Sequence, residues 1–192
     1  PSGALRLEAA GALGLRPGIV VAGGGGDNAA GAVGAGVIGP GEAFLSLGTS
    51  GVYFVADSRF APNPERAVHA FCHCLPGRWH QMAVSLSAAS CLSWLTAATG
   101  AADEAALLAE IEAAGRETDL LFLPYLSGER TPHNDPDARG VFFGLDHGTT
   151  RADLGRAVLE GVAFAFADGE DALAGAGTRI GAMESAPRFP LV

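Results

Sequence analysis

Short apolar runs separated by glycine, serine and proline dominate the first half of the chain. The β-branched run at residues 19–22 ends in four glycines and predicts a buried strand. Residues 43–55 divide into two strand-like halves around a Gly-Thr-Ser-Gly turn, and residues 68–84 divide in the same way around Pro-Gly. Because turn residues between two apolar runs favour chain reversal, each of these two segments predicts an antiparallel hairpin.

Helical spacing of apolar residues is clearest in the second half of the chain. It predicts helices at about residues 88–98, 104–114 and 150–173, besides an alanine-rich helix at 27–37. Asp27 or Asn28 would cap the alanine-rich helix, and Thr150 or Asp153 would cap the long one. We therefore predict an α/β fold with antiparallel hairpins in a mixed sheet, rather than a strictly alternating parallel sheet.

The charge balance of the chain excludes two classes of partner. Twelve lysines and arginines against 21 aspartates and glutamates give a net charge of −9. Proteins that bind nucleic acids or anionic membranes carry basic surfaces, so we expect neither partner. No apolar run is long enough to span a bilayer, and three cysteines do not make a disulfide framework, which favours a cytoplasmic location. Oligomeric state cannot be read from the sequence, and a homodimer remains an open alternative.

Four consecutive glycines precede the acidic residue Asp27. Glycines let a ligand approach the main chain without Cβ atoms in the way, and the positive end of a helix dipole attracts a carboxylate. A carboxylate at such a crevice could accept a proton from a substrate hydroxyl, while the amide of Asn28 could bind neighbouring hydroxyls. The alternative is that Asp27 only caps the helix that follows it.

A second glycine-rich element comprises Gly48, Thr49 and Ser50, which we call the hydroxyl turn. Its backbone N–H groups and its two hydroxyls could donate hydrogen bonds to phosphate oxygens. Glycine and serine also fill ordinary hairpin turns, so the motif alone does not decide between the two interpretations.

A dinucleotide-binding fold is a further alternative. The spacing Gly24-x-Gly26-x-x-Ala29 after a strand fits the phosphate-binding fingerprint of such folds. However, Asp27 would place a negative charge beside the pyrophosphate. The acid that should end the next strand, Glu42, precedes its strand instead. We therefore rank this interpretation lower.

Two polar clusters suggest other chemistries. The His-Ala-Phe-Cys-His-Cys run at residues 69–74 contains zinc-ligating types, but side chains that alternate along a strand give poor tetrahedral geometry. Glu129, Asp135 and Asp137 could form a glycosidase pair. They share one proline-rich loop at residues 124–139, so a solvated or interdomain loop is the favoured interpretation.

Five sequence blocks together resemble the C-terminal domain of the FGGY family of carbohydrate kinases. They are residues 21–34, 45–54, 69–73 with 87–91, 122–134, and 140–145 with 157–161. The last three are similar to the xylulokinase branch in particular. The resemblance extends over about residues 19–175, and its specificity comes from the ordered set, because each glycine motif alone is unspecific.

The resemblance implies an actin-like, ribonuclease-H-like ATPase fold in which ATP and a sugar meet in a cleft between two domains. Asp27 would be the catalytic base toward the sugar hydroxyl, and Asn28 would bind the sugar. Gly48, Thr49 and Ser50 would bind the ATP phosphates. The implied reaction converts ATP and D-xylulose to ADP and D-xylulose 5-phosphate, with Mg²⁺ as cofactor.

The resemblance also implies that the chain is an incomplete domain. The N-terminal domain of the family, which carries the main Mg²⁺ ligand, has no counterpart here, so we assign no metal ligand to this chain. We expect residues 1–18 to be a remnant of the interdomain connection, 19–177 a partial kinase domain, and 178–192 a divergent or truncated tail without the family's next strand and adenosine motif. A non-catalytic remnant or interaction domain that retains the fold is the alternative.

Overall fold

The computed structural model describes residues 2–183. Its strands are β1 (Gly3–Ala4), β2 (Val20–Val21), β3 (Glu42–Leu47), β4 (Gly51–Asp57), β5 (His69–Cys72), β6 (Trp79–Ser85), β7 (Leu121–Leu123), β8 (Val141–Phe143) and β9 (Ala182–Met183). Its helices are α1 (Leu7–Leu13), α2 (Asp27–Gly34), α3 (Ala89–Thr99), α4 (Glu104–Ala114) and α5 (Arg151–Gly175), with one 3₁₀ turn at Pro64–Arg66. Both predicted hairpins are present, as β3–β4 and β5–β6.

Five strands form the central sheet in the order β5-β6-β4-β3-β9. The first four pair antiparallel, and β9 pairs parallel with β3, so the predicted mixed sheet is confirmed. The register places Leu47 opposite Gly51, and Gly51 opposite Ser85. At the end of the sheet that carries the hydroxyl turn, the end of β3, the start of β4 and the end of β6 therefore lie side by side.

Both faces of the central sheet are covered. Tyr53, Phe54, Val55 and Ala56 of β4 are all buried, as expected for a strand with packing partners on both sides. Phe54 and Ala56 belong to the core that includes α2, whereas Tyr53 and Val55 belong to the core that includes α5. A third core joins α3, α4, α5 and β7.

The helix ends follow local capping chemistry. Both candidate caps of α5 contribute, because Thr150 accepts a hydrogen bond from the N–H of Asp153 while the Asp153 carboxylate accepts one from the N–H of Thr150. Gly100 ends α3 with a φ of 66°, which a glycine adopts without a steric cost. The predicted helix at 27–37 ends earlier, at Gly34, and Gly36 adopts a φ of 80°.

The prediction of a buried strand at residues 19–22 is wrong in one respect. The strand is present as β2, but Val20 is 67% exposed and Val21 is 42% exposed. β2 pairs with β1 in a separate two-stranded sheet, and none of the four residues in that sheet is buried. Apolar composition therefore predicted the strand, but it did not predict whether other elements would pack over the strand and bury it.

A short strand also occurs within residues 178–192, where we predicted no strand of the family. Residues 182 and 183 of β9 pair with Glu42 and Ala43 of β3. Residues 184–192 of the predicted tail lie outside the described residues. Among the helices of residues 2–183, none combines the length and the apolar character needed to cross a membrane.

Candidate functional site

Asp27 is the first residue of α2, directly after the four-glycine segment. Its side chain is exposed, and its Oδ1 accepts hydrogen bonds from the backbone N–H of Asn28 at 2.8 Å and from Asn28 Nδ2 at 3.3 Å. Gly26 is the N-cap, and no side chain caps this helix, so the interpretation of Asp27 or Asn28 as the cap is wrong. Within residues 2–183, no donor reaches Oδ2 of Asp27.

The glycine segment packs closely against the chain that follows β5. A Cβ atom at Gly25 would lie 2.8 Å from the Cβ of Cys74, closer than two side chains approach each other. The thiol of Cys74 in turn donates a hydrogen bond to the carbonyl of Ala29 in the first turn of α2, at 3.2 Å. Glycine at position 25 therefore permits the contact that holds the start of α2, and with it Asp27, against the central sheet.

The hydroxyl turn is held by the start of α3. The N–H groups of Ala88 and Ala89 donate to the carbonyls of Thr49 and Gly48, both at 2.9 Å, and Ser90 Oγ donates to the Thr49 carbonyl at 2.7 Å. These bonds direct the turn's carbonyls toward α3. Among the described residues, no acceptor engages the N–H groups of Thr49 and Ser50, and all three residues of the turn are exposed. The turn thus presents donors to solvent.

A cavity of about 330 Å³, which we call the base cleft, opens beside Asp27. It is lined by Asp27, Asn28, Gly31, Ala35, Phe44, Leu45, Ser46 and Leu47. The structure therefore brings Asp27 and Asn28 into one cleft with the end of β3. Gly48, Thr49 and Ser50 do not line this cleft, although they follow Leu47 directly.

A second cavity, of about 430 Å³, opens along β3, α3 and α5, and we call it the apolar groove. Its lining includes Leu47, Ala88, Ala89 and Leu92. Leu47 lines both cavities, so the hydroxyl turn stands where the base cleft and the apolar groove approach each other. This groove could not be predicted from the sequence, because the small and apolar residues that begin α3 are equally typical of a core helix.

The loop at residues 124–139 is not uniformly solvated. Asp135 and Asp137 are exposed, but Glu129 is only 2% exposed, so the interpretation of the whole loop as solvated or interdomain is wrong for Glu129. Its carboxylate accepts hydrogen bonds from Ser85 Oγ and from the N–H groups of Leu86 and Arg130. The polar composition of the loop gave no signal of this burial.

The structure assigns no metal ion to the described residues. Within residues 2–183, no group of three or more histidine, cysteine, aspartate or glutamate side chains is placed to hold a metal. In the run at residues 69–74, His73 is buried whereas Cys72 and Cys74 are exposed. Mg²⁺ commonly takes only one or two carboxylates, with waters and substrate phosphates completing its shell, so the Mg²⁺ expected from the resemblance stays a prediction without a ligand assigned among the described residues.

The family of the chain follows from direct comparison with known proteins. Residues 43–183 match the FGGY family of carbohydrate kinases, C-terminal domain. The chain belongs to the FGGY family. Its recognition from the ordered sequence blocks is thereby confirmed, and the dinucleotide-binding alternative loses its support.

Similar FGGY proteins carry one recurrent name. The chain is 58% identical over 171 residues to xylulose kinase of Klebsiella pneumoniae, and 55% identical over 179 residues to xylulose kinase of Escherichia coli K12. These alignments cover 88% and 93% of this chain but 35% and 37% of the relatives. The crystal structure of a xyloylose kinase from Brucella ovis superposes with a TM-score of 0.83 at 52% identity, over 95% of this chain and 38% of that one.

These comparisons confirm the predicted fold class, because the solved FGGY sugar kinases have the actin-like ATPase fold. The chain spans about a third of the length of the curated relatives it matches. The domain boundaries at residues 18 and 177 remain predictions, as do the roles of Asp27, Asn28 and the hydroxyl turn.

Proposed function

We propose that this chain is part of an ATP-dependent sugar kinase that phosphorylates D-xylulose to D-xylulose 5-phosphate. The observation that carries the proposal is the base cleft, in which an exposed carboxylate, whose Oδ2 no donor of residues 2–183 engages, lies in one cavity with the strand that leads into a donor-bearing turn. The two relatives at 58% and 55% identity, both xylulose kinases, support xylulose as the sugar.

Asp27 acts as the general base in the proposed reaction. As the sugar hydroxyl oxygen attacks the γ-phosphorus of ATP, its proton passes to Oδ2 of Asp27. The new O–P bond forms while the bond between the γ-phosphorus and its bridging oxygen breaks, which releases ADP. The Oδ1 atom is already hydrogen-bonded to Asn28, which favours a carboxylate orientation that leaves Oδ2 for the sugar hydroxyl. A positioned base of this kind contributes roughly 10²–10⁴-fold to the rate.

The nucleotide lies on the other side of Leu47. The N–H groups and hydroxyls of Thr49 and Ser50 donate to the terminal phosphates, as preorganised donors do in phosphoryl transfer. The apolar groove, which begins at Leu47, Ala88 and Ala89, receives the adenine base, because its apolar walls can pack against the flat faces of the ring. Along the surface, the sugar thus lies in the base cleft, the phosphates lie at the hydroxyl turn, and the adenine lies in the apolar groove.

A coupled assay of ADP release by the complete protein tests this assignment. Asp27→Asn, which keeps the size of the side chain and removes its basicity, should reduce kcat by about 10²–10⁴-fold while ATP still binds. Asp171→Asn is the matched control, because Asp171 is exposed at the far end of α5 and pairs with Arg66. Near-normal turnover of Asp27→Asn would reject the role of the base. A panel of pentuloses and polyols, compared by kcat/KM, tests the choice of xylulose.

A further inference from the structure

Glu129 is a buried acid that the proposed reaction does not use. Its Oε2 accepts a hydrogen bond from Ser85 Oγ at 2.8 Å, and its Oε1 accepts from the N–H groups of Leu86 at 2.9 Å and Arg130 at 2.7 Å. Among the described residues, no lysine or arginine pairs with it. Because a buried carboxylate without partners is costly, these three neutral donors must compensate for its removal from water.

Two of those donors belong to the end of β6 and the connection from β6 to α3, which comprises residues 86–88. Ser85 is the last residue of β6 and lies opposite Gly51, the residue that follows the hydroxyl turn. Ala88, the last residue of the connection, and Ala89, the first residue of α3, donate to the carbonyls of the turn. Glu129 is therefore linked to the hydroxyl turn through a few residues of backbone, without touching it.

Thr131 anchors the loop that carries Glu129 to β6, so Glu129 extends from a fixed position. Thr131 Oγ1 accepts from the N–H of Val84 at 3.0 Å and donates to the carbonyl of Ala67 at 3.0 Å, and the N–H of Thr131 donates to the carbonyl of Val84 at 3.1 Å. The loop at residues 124–139 is thus pinned to β6 by Thr131, independently of the β6–α3 connection. Glu129 extends from this pinned loop to the connection.

We propose that Glu129 is a positioning residue that fixes the β6–α3 connection, and through it holds the hydroxyl turn in the geometry that binds the terminal phosphates of the nucleotide. The inference deepens the proposed function and depends on it. Glu129 lines neither the base cleft nor the apolar groove. Its effect should therefore appear in nucleotide binding and in the mobility of the turn, and not in sugar binding.

Amide hydrogen exchange of the 192-residue chain tests the link without relying on activity. The N–H groups of Ala88 and Ala89 are the reporters, because each is bonded to a carbonyl of the turn. In Glu129→Ala these amides should exchange about tenfold faster or more, while the amides shared by β4 and β6 keep their protection. Ser85→Ala is not a clean second variant, because Ser85 Oγ also bonds the Ser87 carbonyl within the connection. Glu129→Asp, which keeps the carboxylate but shortens the side chain by one methylene, should act in the same direction, so the test stands even where Glu129→Ala does not fold.

Two matched variants separate positioning from general stability. Glu129→Gln retains the length and an oxygen for the N–H groups of Leu86 and Arg130, while its NH₂ can donate to Ser85 Oγ, so it should restore most of the protection. Met82→Leu changes a buried residue of β6 in the core beneath α2, touches neither Glu129 nor the connection, and should leave Ala88 and Ala89 within about twofold of the parent. Equal acceleration in Met82→Leu, or unchanged protection in Glu129→Ala, would overturn the proposal.

Kinetics of the complete protein separate this proposal from the proposed function. Glu129→Ala should raise the KM for ATP by about tenfold, leave the KM for the sugar unchanged, and be rescued by Glu129→Gln. Absence of sugar-dependent ADP release from the unmodified complete protein would reject the proposed function itself. Normal activity together with an unchanged KM for ATP in Glu129→Ala would reject only the positioning role.

Discussion

The three cysteines have different environments although none is in a disulfide. Cys91 is fully buried in the core formed by α3, α4, α5 and β7. Burial, followed by the nearby charge of Glu129, raises the pKa of the Cys91 thiol to about 12. Cys72 and Cys74 are exposed at the end of β5. Because the thiolate is the nucleophile, both accessibility and pKa oppose reaction at Cys91.

Alkylation should therefore distinguish Cys91 from the other two. With iodoacetamide at about pH 8, we expect the folded chain to be modified at Cys72 and Cys74 and to be protected at Cys91. Peptide mass spectrometry after digestion measures each site separately. The denatured chain is the control, since all three thiols should then react. Modification of Cys91 at the rate of Cys72 in the folded chain would contradict the burial of Cys91 in the core.

At the scale of elements, two buried histidines lie against Phe54 on the side of the central sheet that packs against α2. His80 on β6 is 4% exposed and stacks on Phe54 with ring centroids 4.7 Å apart, while His73 is 6% exposed. Burial, followed by the charges of His73 and His69, lowers the pKa of His80 to about 4. Burial also lowers the pKa of His73 and of His69. Neutral rings are therefore part of this packing.

This packing should make stability depend on pH. In the unfolded chain a histidine titrates near pH 6.5, so between about pH 6.5 and 4 the unfolded state binds protons that folded His80 does not. The free energy of unfolding should thus be largest above about pH 6.5 and fall as the pH decreases, by up to about 1.4 kcal/mol per pH unit for His80. Urea unfolding measured by circular dichroism at a series of pH values checks this.

Substitution of His80 isolates its share of the pH dependence. His80→Phe keeps the stacking on Phe54 and removes both the titration and a ring nitrogen, Nδ1, that has no partner within residues 2–183. The slope of stability against pH should become shallower in this variant. Met82→Leu, on the same strand, is the control and should shift stability equally at every pH. An unchanged slope in His80→Phe would show that groups other than His80 cause the pH dependence of stability.

Elements determined by local chemistry could be predicted from the sequence. The hairpins followed from their turn residues, and α5 followed from its apolar spacing and from Thr150 and Asp153. Features that depend on packing partners far away in the sequence could not be predicted. The exposure of Val20 depends on what packs over β2, and the burial of Glu129 depends on β6. For the same reason, Asp27 could be singled out from the glycines before it, but the cleft beside it could not be derived.

At the scale of the whole molecule, the candidate groups form one continuous surface. Asp27 lies in the base cleft, the hydroxyl turn follows Leu47, and the apolar groove begins at Leu47 and Ala88. The chain nevertheless spans about a third of the relatives named xylulose kinase. Phosphoryl transfer depends on holding both substrates and on neutralising the charge of the transferred group. This surface supplies the base and one set of phosphate donors.

The 192-residue chain alone should therefore show no sugar-dependent ADP release. Asp27 can remove a proton only from a hydroxyl held in line with the γ-phosphorus, and a misplaced substrate loses most of the rate enhancement that proximity provides. A coupled assay with ATP, Mg²⁺ and D-xylulose, with the Klebsiella pneumoniae xylulose kinase as positive control, measures this. Turnover above background that disappears in Asp27→Asn would show that the chain is sufficient. Inactivity of a complete protein under the same conditions would instead favour a non-catalytic role for the retained fold.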